Sequence, residues 1–92
     1  MMLTALRKSP RVVGTKETLR AIKKGRVYRI FLAEDIDDDL KDKIYKAAES
    51  SNIKINVVES KLKLGRACGI DVAAASAALL KKFKGGEVDA NN

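Results

Sequence analysis

The chain is poor in the residues that build metal, disulfide and base-stacking sites. It has no histidine and a single cysteine, so an internal disulfide is excluded and a zinc site is implausible. With no histidine to activate it, Cys68 is expected to be a small buried apolar residue. Only four aromatic residues occur, and three of them lie inside predicted helices or strands. A platform of aromatic rings for stacking single-stranded nucleic acid is therefore not expected.

Long apolar stretches are also missing. No run approaches the roughly 20 residues of a membrane-spanning helix. The apolar start, Met1 to Leu6, is too short for a signal peptide and is followed by Arg7 and Lys8. We therefore expect a soluble cytoplasmic protein. Apolar residues make up 46% of the 92 residues, enough for one core. We predict a single domain over residues 1–84 and a flexible C-terminal tail over residues 85–92.

Basic residues are in excess and are unevenly distributed along the chain. The net charge is +7, which suggests a polyanionic partner. Residues 1–33 carry nine cations and one acid, whereas residues 34–50 carry three cations and seven acids. Residues 51–84 are basic again, with seven cations and two acids. Solubility alone gives little reason for this segregation of charge.

Hydrophobic periodicity predicts a strand–helix–strand unit flanked by further elements. A short N-terminal helix containing Met2, Leu3 and Leu6 is expected to end before Pro10. The other predicted elements are a strand at 11–13, a helix from Gly14 or Thr15 to Lys24, a strand at 27–33, a helix at 37–52, a strand at 54–58 and a short helix capped by Ser60. The residues of the two longer helices predicted to face the core are Leu19, Ile22, Leu40, Ile44, Ala47 and Ala48.

The middle strand, helix and strand are predicted to form a right-handed unit with parallel strands. The segment from Ala73 to Leu80 is ambiguous. Its alanine content favours a helix, although an apolar run of this length between a loop and a basic segment also fits a buried strand. On propensity alone a helix is the better prediction.

Two of the three main predicted helices begin with cations, where the positive end of the helix dipole favours acids. Lys16 opens the first helix, and Lys61 and Lys63 open the helix after Ser60, whereas the middle helix begins with aspartates at 37–39. Free N–H groups at a helix start, together with added cations, form a phosphate-binding end. The alternative is that these lysines are ordinary surface residues, which cost only a few tenths of a kcal/mol at such positions.

Glu17 is the one acid among the cations of the first helix. It can be an intrahelical partner of Arg20, three residues further on. Because a carboxylate only accepts hydrogen bonds, Glu17 can instead read the N1–H and N2–H₂ donors of a guanine, while the neighbouring cations contact phosphates. The residues alone leave both interpretations open.

Two patterns resemble metal or phosphate motifs and fail in detail. Asp35, Asp37 and Asp39 begin like a calcium loop, but Leu40 and Lys46 occupy the positions that need glycine and glutamate. We therefore predict that these acids cap a helix. The segment GRACG has neither the lysine–serine ending of a P-loop nor the spacing of a dinucleotide-binding motif. No acid–base pair or nucleophile arrangement stands out, so we expect neither catalysis nor a cofactor.

Three segments, GTKETLRAIKKG, VESKLKLGRACGI and IDVAAASAALL, together resemble the ribosomal protein L7Ae family of kink-turn RNA-binding proteins, and within it the small bacterial members of the YbxF type. The resemblance covers roughly Val12 to Leu80. It implies an α/β fold, a three-layer α/β/α sandwich around a four-stranded mixed sheet, with residues 75–80 in a strand. It also implies binding to a bulged, kinked RNA duplex at tandem sheared G·A pairs.

The resemblance assigns roles to residues of the first helix. Gly14 and Thr15 lie at the helix start that approaches the RNA backbone. Glu17 corresponds to the glutamate that reads a guanine of the G·A pairs, and Arg20 to its basic neighbour. Lys16 stands where archaeal members usually have asparagine, which favours a phosphate contact over a base contact at this position.

The resemblance also implies a second group of RNA-binding residues. Lys61 corresponds to a basic position near the RNA. The loop that packs against flipped-out bulge nucleotides corresponds to Ile70, Asp71, Val72, Ala73 and Ala74. From the residues alone, Ile70 and Val72 could instead fold inward as ordinary core residues.

The implied partner is a structured RNA that contains a kink-turn, such as ribosomal RNA or a riboswitch-like RNA, with the ribosome as a candidate. We expect the protein to be a monomer that neither associates with a membrane nor binds a small-molecule substrate. One alternative is a protein-interaction scaffold that keeps the fold without binding RNA, against which the retained Glu17 and loop argue. The other is a detached RNA-binding module of a methyltransferase-like enzyme, against which the absence of a catalytic segment argues.

Overall fold

The computed structural model of the chain describes residue 6 and residues 9–81. Leu6 is helical and fully buried, in agreement with the predicted N-terminal helix. The rest of that helix and the predicted C-terminal tail lie outside the described residues.

Strands and helices alternate along the described part of the chain. The strands are β1 (Arg11–Val13), β2 (Val27–Ala33), β3 (Ile55–Val58) and β4 (Ser76–Leu80). The helices are α1 (Thr15–Lys23), α2 (Asp38–Ser50) and α3 (Lys61–Ala67). Apart from β4, each agrees in type with the element predicted there from periodicity.

The strands form one mixed sheet in the order β1-β4-β2-β3. β2 and β3 are parallel, as the strand–helix–strand prediction requires, and β4 runs antiparallel to both of its neighbours. The interior position of β2 explains why its sequence is apolar on both faces: helices cover both sides of the sheet. The predicted three-layer α/β/α sandwich with a four-stranded mixed sheet is confirmed.

Alternate residues of β2 face two separate cores. Phe31 packs in the core on the α3 side, together with Leu64. Leu32 packs in the other core, with Ile22 of α1 and Ile44 of α2. Because neighbouring side chains of a strand point to opposite faces, one strand joins both cores.

Among the predicted core residues, the buried ones are Ile22, Ile44 and Ala48, and the partly buried ones are Leu19, Leu40 and Ala47.

The alanine-rich segment is a strand, so the helix favoured by propensity is wrong and the strand implied by the family resemblance is confirmed. Ala77 and Ala78 are both fully buried and face opposite cores. Small side chains suit a central strand that has helices close on both faces. Tertiary burial here outweighs the intrinsic helix preference of alanine, which is a weak bias of tenths of a kcal/mol per residue.

Cys68 is buried, as predicted, in the core on the α3 side. Burial raises the pKa of its thiol, and the nearby positive charge of Arg11 opposes this only in part. The guanidinium of Arg11 donates to the carbonyl oxygen of Cys68 at 2.9 Å. The thiol therefore stays protonated at neutral pH and is a poor nucleophile.

Candidate nucleic-acid interface

Three helix starts and one loop meet at a single end of the sheet. β1 ends where β4 begins, because Val13 lies opposite Ala77. β2 and β3 end together, because Ala33 lies opposite Val58. Since each of these three strands leads into a helix, α1, α2 and α3 all begin at this end. The loop at 70–75 leads into β4 and completes what we call the convergent end of the sheet.

The start of α1 is open. Its N-cap residue, Gly14, has φ 103°, in the left-handed region that favours glycine. No described side chain caps the helix, and a Cβ on Gly14 would meet nothing within 4 Å. The N–H groups of the first turn therefore have no capping side chain among the described residues, which suits the approach of an anionic backbone.

The start of α1 is fixed to the start of β4. The N–H of Gly14 donates to the carbonyl oxygen of Ser76 at 2.8 Å. The hydroxyls of Thr15 and Ser76 share a hydrogen bond at 3.2 Å, and Ser76 is fully buried. Two hydrogen bonds thus tie the open helix start to β4, although none of the described side chains caps it.

Glu17 pairs with Arg20 on the exposed face of α1. Glu17 Oε2 lies 3.4 Å from Arg20 Nη1, and the two side chains are 50% and 53% exposed. The intrahelical pairing that was one interpretation of Glu17 is therefore present. At this distance and exposure such a pair is weak, so the carboxylate can exchange Arg20 for another donor. Lys16 is exposed beside it.

The start of α3 is capped. Ser60 Oγ accepts from the backbone N–H of Lys63 at 3.0 Å, and Asp35 Oδ1 accepts from the N–H of Lys61 at 2.8 Å. The ammonium of Lys63 lies 3.0 Å from Glu59 Oε1. Two of the N–H groups that a phosphate-binding end at this helix would use, those of Lys61 and Lys63, therefore already have partners. The side chain of Lys61 is exposed and remains a candidate contact.

The aspartates that follow β2 confirm the predicted capping role only in part. Asp37 is the N-cap residue of α2, but its side chain makes no capping hydrogen bond. Asp35 does cap a helix, but that helix is α3, 26 residues away.

Within the described ranges, no group of acidic and cysteine side chains is arranged to hold a metal ion. No helix in the same ranges is long and apolar enough to cross a membrane.

The loop at 70–74 lies directly on α3. The N–H of Ala74 donates to the carbonyl oxygen of Lys61 at 3.0 Å. A Cβ built on Gly65 would overlap the carbonyl oxygen of Val72, so the backbone of the loop touches the backbone of α3 at this point. This close contact places the loop beside the start of α3, at the convergent end.

Exposure separates the residues of the loop. Val72 is 64% exposed, so its interpretation as a core residue is wrong. Asp71 and Ala73 are exposed as well. Ile70 is partly buried against the core on the α3 side, and Ala74 is buried. Ile70 and Ala74 therefore anchor the loop, while the three residues between them form its outer surface.

Two residues that build the convergent end were missed in the sequence. Gly65 permits the contact between α3 and the loop, and a glycine inside a predicted helix is the signal that could have indicated a close backbone approach. Ser76 connects α1 with β4, and its signal is a hydroxyl in an otherwise apolar segment.

Several known proteins are similar to this chain in sequence or in fold. The chain matches the Ribosomal protein L7Ae/L30e/S12e/Gadd45 family over residues 2–87. An RNA-binding protein of Geobacillus sp. (strain WCH70) is 44% identical over 70 residues, which cover 76% of this chain and 85% of the relative. The RNA-binding protein YbxF of Geobacillus stearothermophilus is 43% identical over 70 residues, with the same coverage.

Two solved structures resemble the described fold. The Giardia lamblia 15.5kD RNA binding protein has a TM-score of 0.81 at 23% identity, over 88% of this chain and 72% of that one. A protein of unknown function from Bacillus halodurans C has a TM-score of 0.78 at 23% identity, over 86% and 83%. At this identity the likeness establishes the fold alone. The family match and the bacterial relatives confirm the resemblance found in the sequence, and the chain belongs to the Ribosomal protein L7Ae/L30e/S12e/Gadd45 family.

Proposed function

We propose that this protein binds structured RNA at the convergent end of the sheet and recognises kink-turns there. The observation that carries the proposal is the open start of α1, where Glu17 lies among cations. Family membership, the RNA-binding names of the relatives and the net charge of +7 support a nucleic-acid partner.

The start of α1 supplies contacts to the RNA backbone. Its open N–H groups lie at the positive end of the helix dipole and suit a phosphate oxygen. Gly14 lets the backbone of the RNA come close, because it projects no side chain into that space. Lys16 adds a flexible positive charge at the same place. These contacts position the RNA and do not depend on its sequence.

Glu17 supplies the selectivity. Its carboxylate repels phosphates but can accept two hydrogen bonds from the N1–H and N2–H₂ groups of one guanine. In the free protein it pairs weakly with Arg20 at 3.4 Å. A guanine presented by a sheared G·A pair replaces that contact with better-aligned donors, and Arg20 becomes free for a nearby phosphate.

The outer surface of the loop provides the second half of the interface. Val72 and Ala73 expose apolar groups beside the basic helix start. Unstacked bulge bases have apolar faces that need shielding from water, and splayed-out bases are a common target in RNA recognition. Asp71 offers a carboxylate to base donors, and the exposed Lys61 adds a phosphate contact at the edge of the loop.

The RNA partner that best fits this arrangement is a kink-turn in ribosomal RNA or in a riboswitch-like RNA, with the ribosome as the candidate assembly. We propose that the protein binds as a cytoplasmic monomer, without a cofactor and without catalysis.

A direct binding comparison tests the proposal. Affinity is measured by gel shift for a generic kink-turn duplex and for an unkinked duplex of equal length, at several salt concentrations because non-specific binding is strongly salt-dependent. We expect the kink-turn to bind at least about 100-fold more tightly, a modest ratio for specific nucleic-acid binding. Equal affinities would leave only non-specific charge attraction, and no binding to either duplex would favour a scaffold that has lost RNA binding.

A further inference from the structure

We infer that the RNA footprint extends along α1, away from its open start, into a cleft that holds one ribose–phosphate unit of the strand whose guanine Glu17 reads. This inference rests on the proposed function. The cations that it adds to the interface, Lys24 and Arg26, lie beyond both the helix start and the loop.

The cleft lies between α1 and the strands β1 and β4, and its volume is about 110 Å³. Its apolar lining residues, which we call its floor, are Val12, Ala21 and Leu80. A single water molecule needs only about 10–15 Å³ of such space, so the cleft has room for a group larger than a water molecule. It is too small for a duplex, which restricts the occupant to a small part of one strand.

The rim of the cleft is charged in a definite order. Glu17, Arg20 and Lys24 line it, and they follow one another at intervals of three and four residues, so they lie in one row along α1. The row is about 10 Å long, from the rise of 1.5 Å per residue. Arg26 lines the cleft beyond the end of the helix. The rim therefore has a hydrogen-bond acceptor nearest the open helix start and cations further along.

The end of α1 is built to bring Arg26 to this rim. Gly25 has φ 70°, a left-handed conformation that ends the helix. The N–H of Gly25 donates to the carbonyl oxygen of Ile22 at 2.9 Å, and the N–H of Arg26 donates to that of Ala21 at 3.1 Å. This hydrogen-bond pattern folds the chain back beside the last turn. The N–H of Lys81 donates to the carbonyl oxygen of Arg26 at 2.8 Å and fixes the turn against the end of β4.

The order of groups matches a nucleotide strand. The carboxylate of Glu17 suits base donors, the apolar floor suits the carbon face of a ribose, and the cations suit a phosphate. An isolated inorganic anion would gain nothing from the floor and would be repelled by Glu17. Lys24 alone could be explained as a cation that complements the carboxyl end of the helix dipole. That explanation does not account for Arg26, which lies outside the helix.

The chain offers a matched control for a test of the cleft. Lys23 is an exposed neighbour of Lys24 at the same helix end but does not line the cleft. Lys54 is exposed directly before β3, the strand at the opposite edge of the sheet from β1. The double variants Lys24→Ala/Arg26→Ala and Lys23→Ala/Lys54→Ala therefore lose the same charge, two units, from different places.

Affinity for a kink-turn RNA is measured for both variants and for the unsubstituted protein across a series of salt concentrations. We expect the cleft variant to bind about three- to tenfold more weakly. The slope of log K against log salt should become shallower by about 0.7–0.9 for each lost phosphate contact. The control variant should lose less than about twofold and should change the slope little. Equal losses in both variants would overturn the cleft proposal.

Shortened RNAs locate the contact. Two further kink-turns are prepared, each ending directly beyond the G·A pairs on one side of the kink. The unsubstituted protein should bind one of the shortened RNAs more weakly than the full kink-turn, by the same factor that the cleft substitutions cost. The cleft variant should bind that shortened RNA and the full kink-turn with equal affinity. A cleft variant that responds as strongly as the unsubstituted protein would contradict the inference. Saturable binding of guanosine monophosphate that the cleft substitutions abolish would also contradict it, because the cleft would then serve a free nucleotide.

The two proposals fail in different ways. If the unsubstituted protein does not prefer the kink-turn over an unkinked duplex, the proposed function is wrong. If that preference is intact but the cleft variant behaves like its control, only the extended footprint is wrong.

Discussion

Two helix starts at the same end of the sheet carry the same sequence signal and differ in structure. Both α1 and α3 begin with lysines where acids are favoured. At α1 the N-cap is a left-handed glycine with no capping side chain among the described residues. At α3, Ser60 and Asp35 accept from the first N–H groups.

The difference shows what a cation at a helix start does and does not reveal. It indicates surplus positive charge, which is local and readable from the sequence. It does not reveal whether the backbone N–H groups are free, because a capping group can come from a distant segment, as Asp35 does. We therefore propose that α1 makes the specific RNA contacts and that α3 supports the neighbouring loop.

The largest expected effect is on the affinity for kink-turn RNA, and it should distinguish Glu17 at the start of α1 from Glu59 at the start of α3. Glu17 pairs with Arg20 at α1, and Glu59 pairs with Lys63 at α3. Glu17→Ala should weaken kink-turn binding by about 1–3 kcal/mol, by analogy with a bidentate base contact, with little change in salt slope. Glu59→Ala should leave the affinity nearly unchanged or slightly increase it. Tighter binding by Glu17→Ala would make Glu17 a repulsive bystander.

The cap of α3 should matter for stability. Asp35→Ala should lower the free energy of unfolding by about 1 kcal/mol, because it leaves the N–H of Lys61 without its partner. Urea denaturation measures this loss, with the exposed Asp42→Ala of α2 as the control. A loss no larger than that of the control would show that α3 does not depend on its cap.

The loop beside α3 provides the third test. Val72→Asp should change the melting temperature by no more than about 4 °C, since an exposed substitution is usually within ±0.5 kcal/mol. It should still weaken kink-turn binding several-fold, because it adds a negative charge near phosphates and removes an apolar contact. A large drop in melting temperature would mean that the side chain is buried against the fold.

The smallest effect concerns individual lysines at the two helix starts. Lys16→Ala should make the salt slope shallower by about 0.7–0.9, the value for one phosphate contact. Lys63→Ala should change the slope less, because the carboxylate of Glu59 lies 3.0 Å from the ammonium of Lys63 and repels a phosphate there. Filter binding from low to moderate salt distinguishes the two. A slope change for Lys63→Ala that equals that of Lys16→Ala would remove the distinction between an open and a capped start.

Much of the fold was readable because its signals are local. The bounds of β2 follow from one apolar run, and the parallel pairing of β2 with β3 follows from the strand–helix–strand order. The strand β4 could not be predicted from propensity, because alanine intrinsically favours a helix. Burial between two helical layers overrides that preference only in the folded protein. Only the family resemblance, which carries information about the whole fold, predicted that strand.

The contacts of the candidate site likewise include some that the sequence predicts and some that it does not. Glu17 and Arg20 lie on one helix, so their spacing in the sequence placed them together. The cap of Lys61 by Asp35 and the contact of Gly65 with Val72 join segments that meet only in the folded chain. No periodicity encodes such contacts, and the sequence therefore did not reveal that Asp35 caps α3.

The central claim, that the open start of α1 presents Glu17 to a guanine, is tested most directly by a double-mutant cycle. Affinities are measured for the unsubstituted protein and for Glu17→Ala, each with a kink-turn RNA and with the same RNA carrying inosine, which lacks the 2-amino group, at the recognised guanine. We predict that inosine costs the unsubstituted protein about 1–3 kcal/mol more than it costs Glu17→Ala. Equal losses for the two proteins would show that Glu17 does not contact that base and would contradict the account.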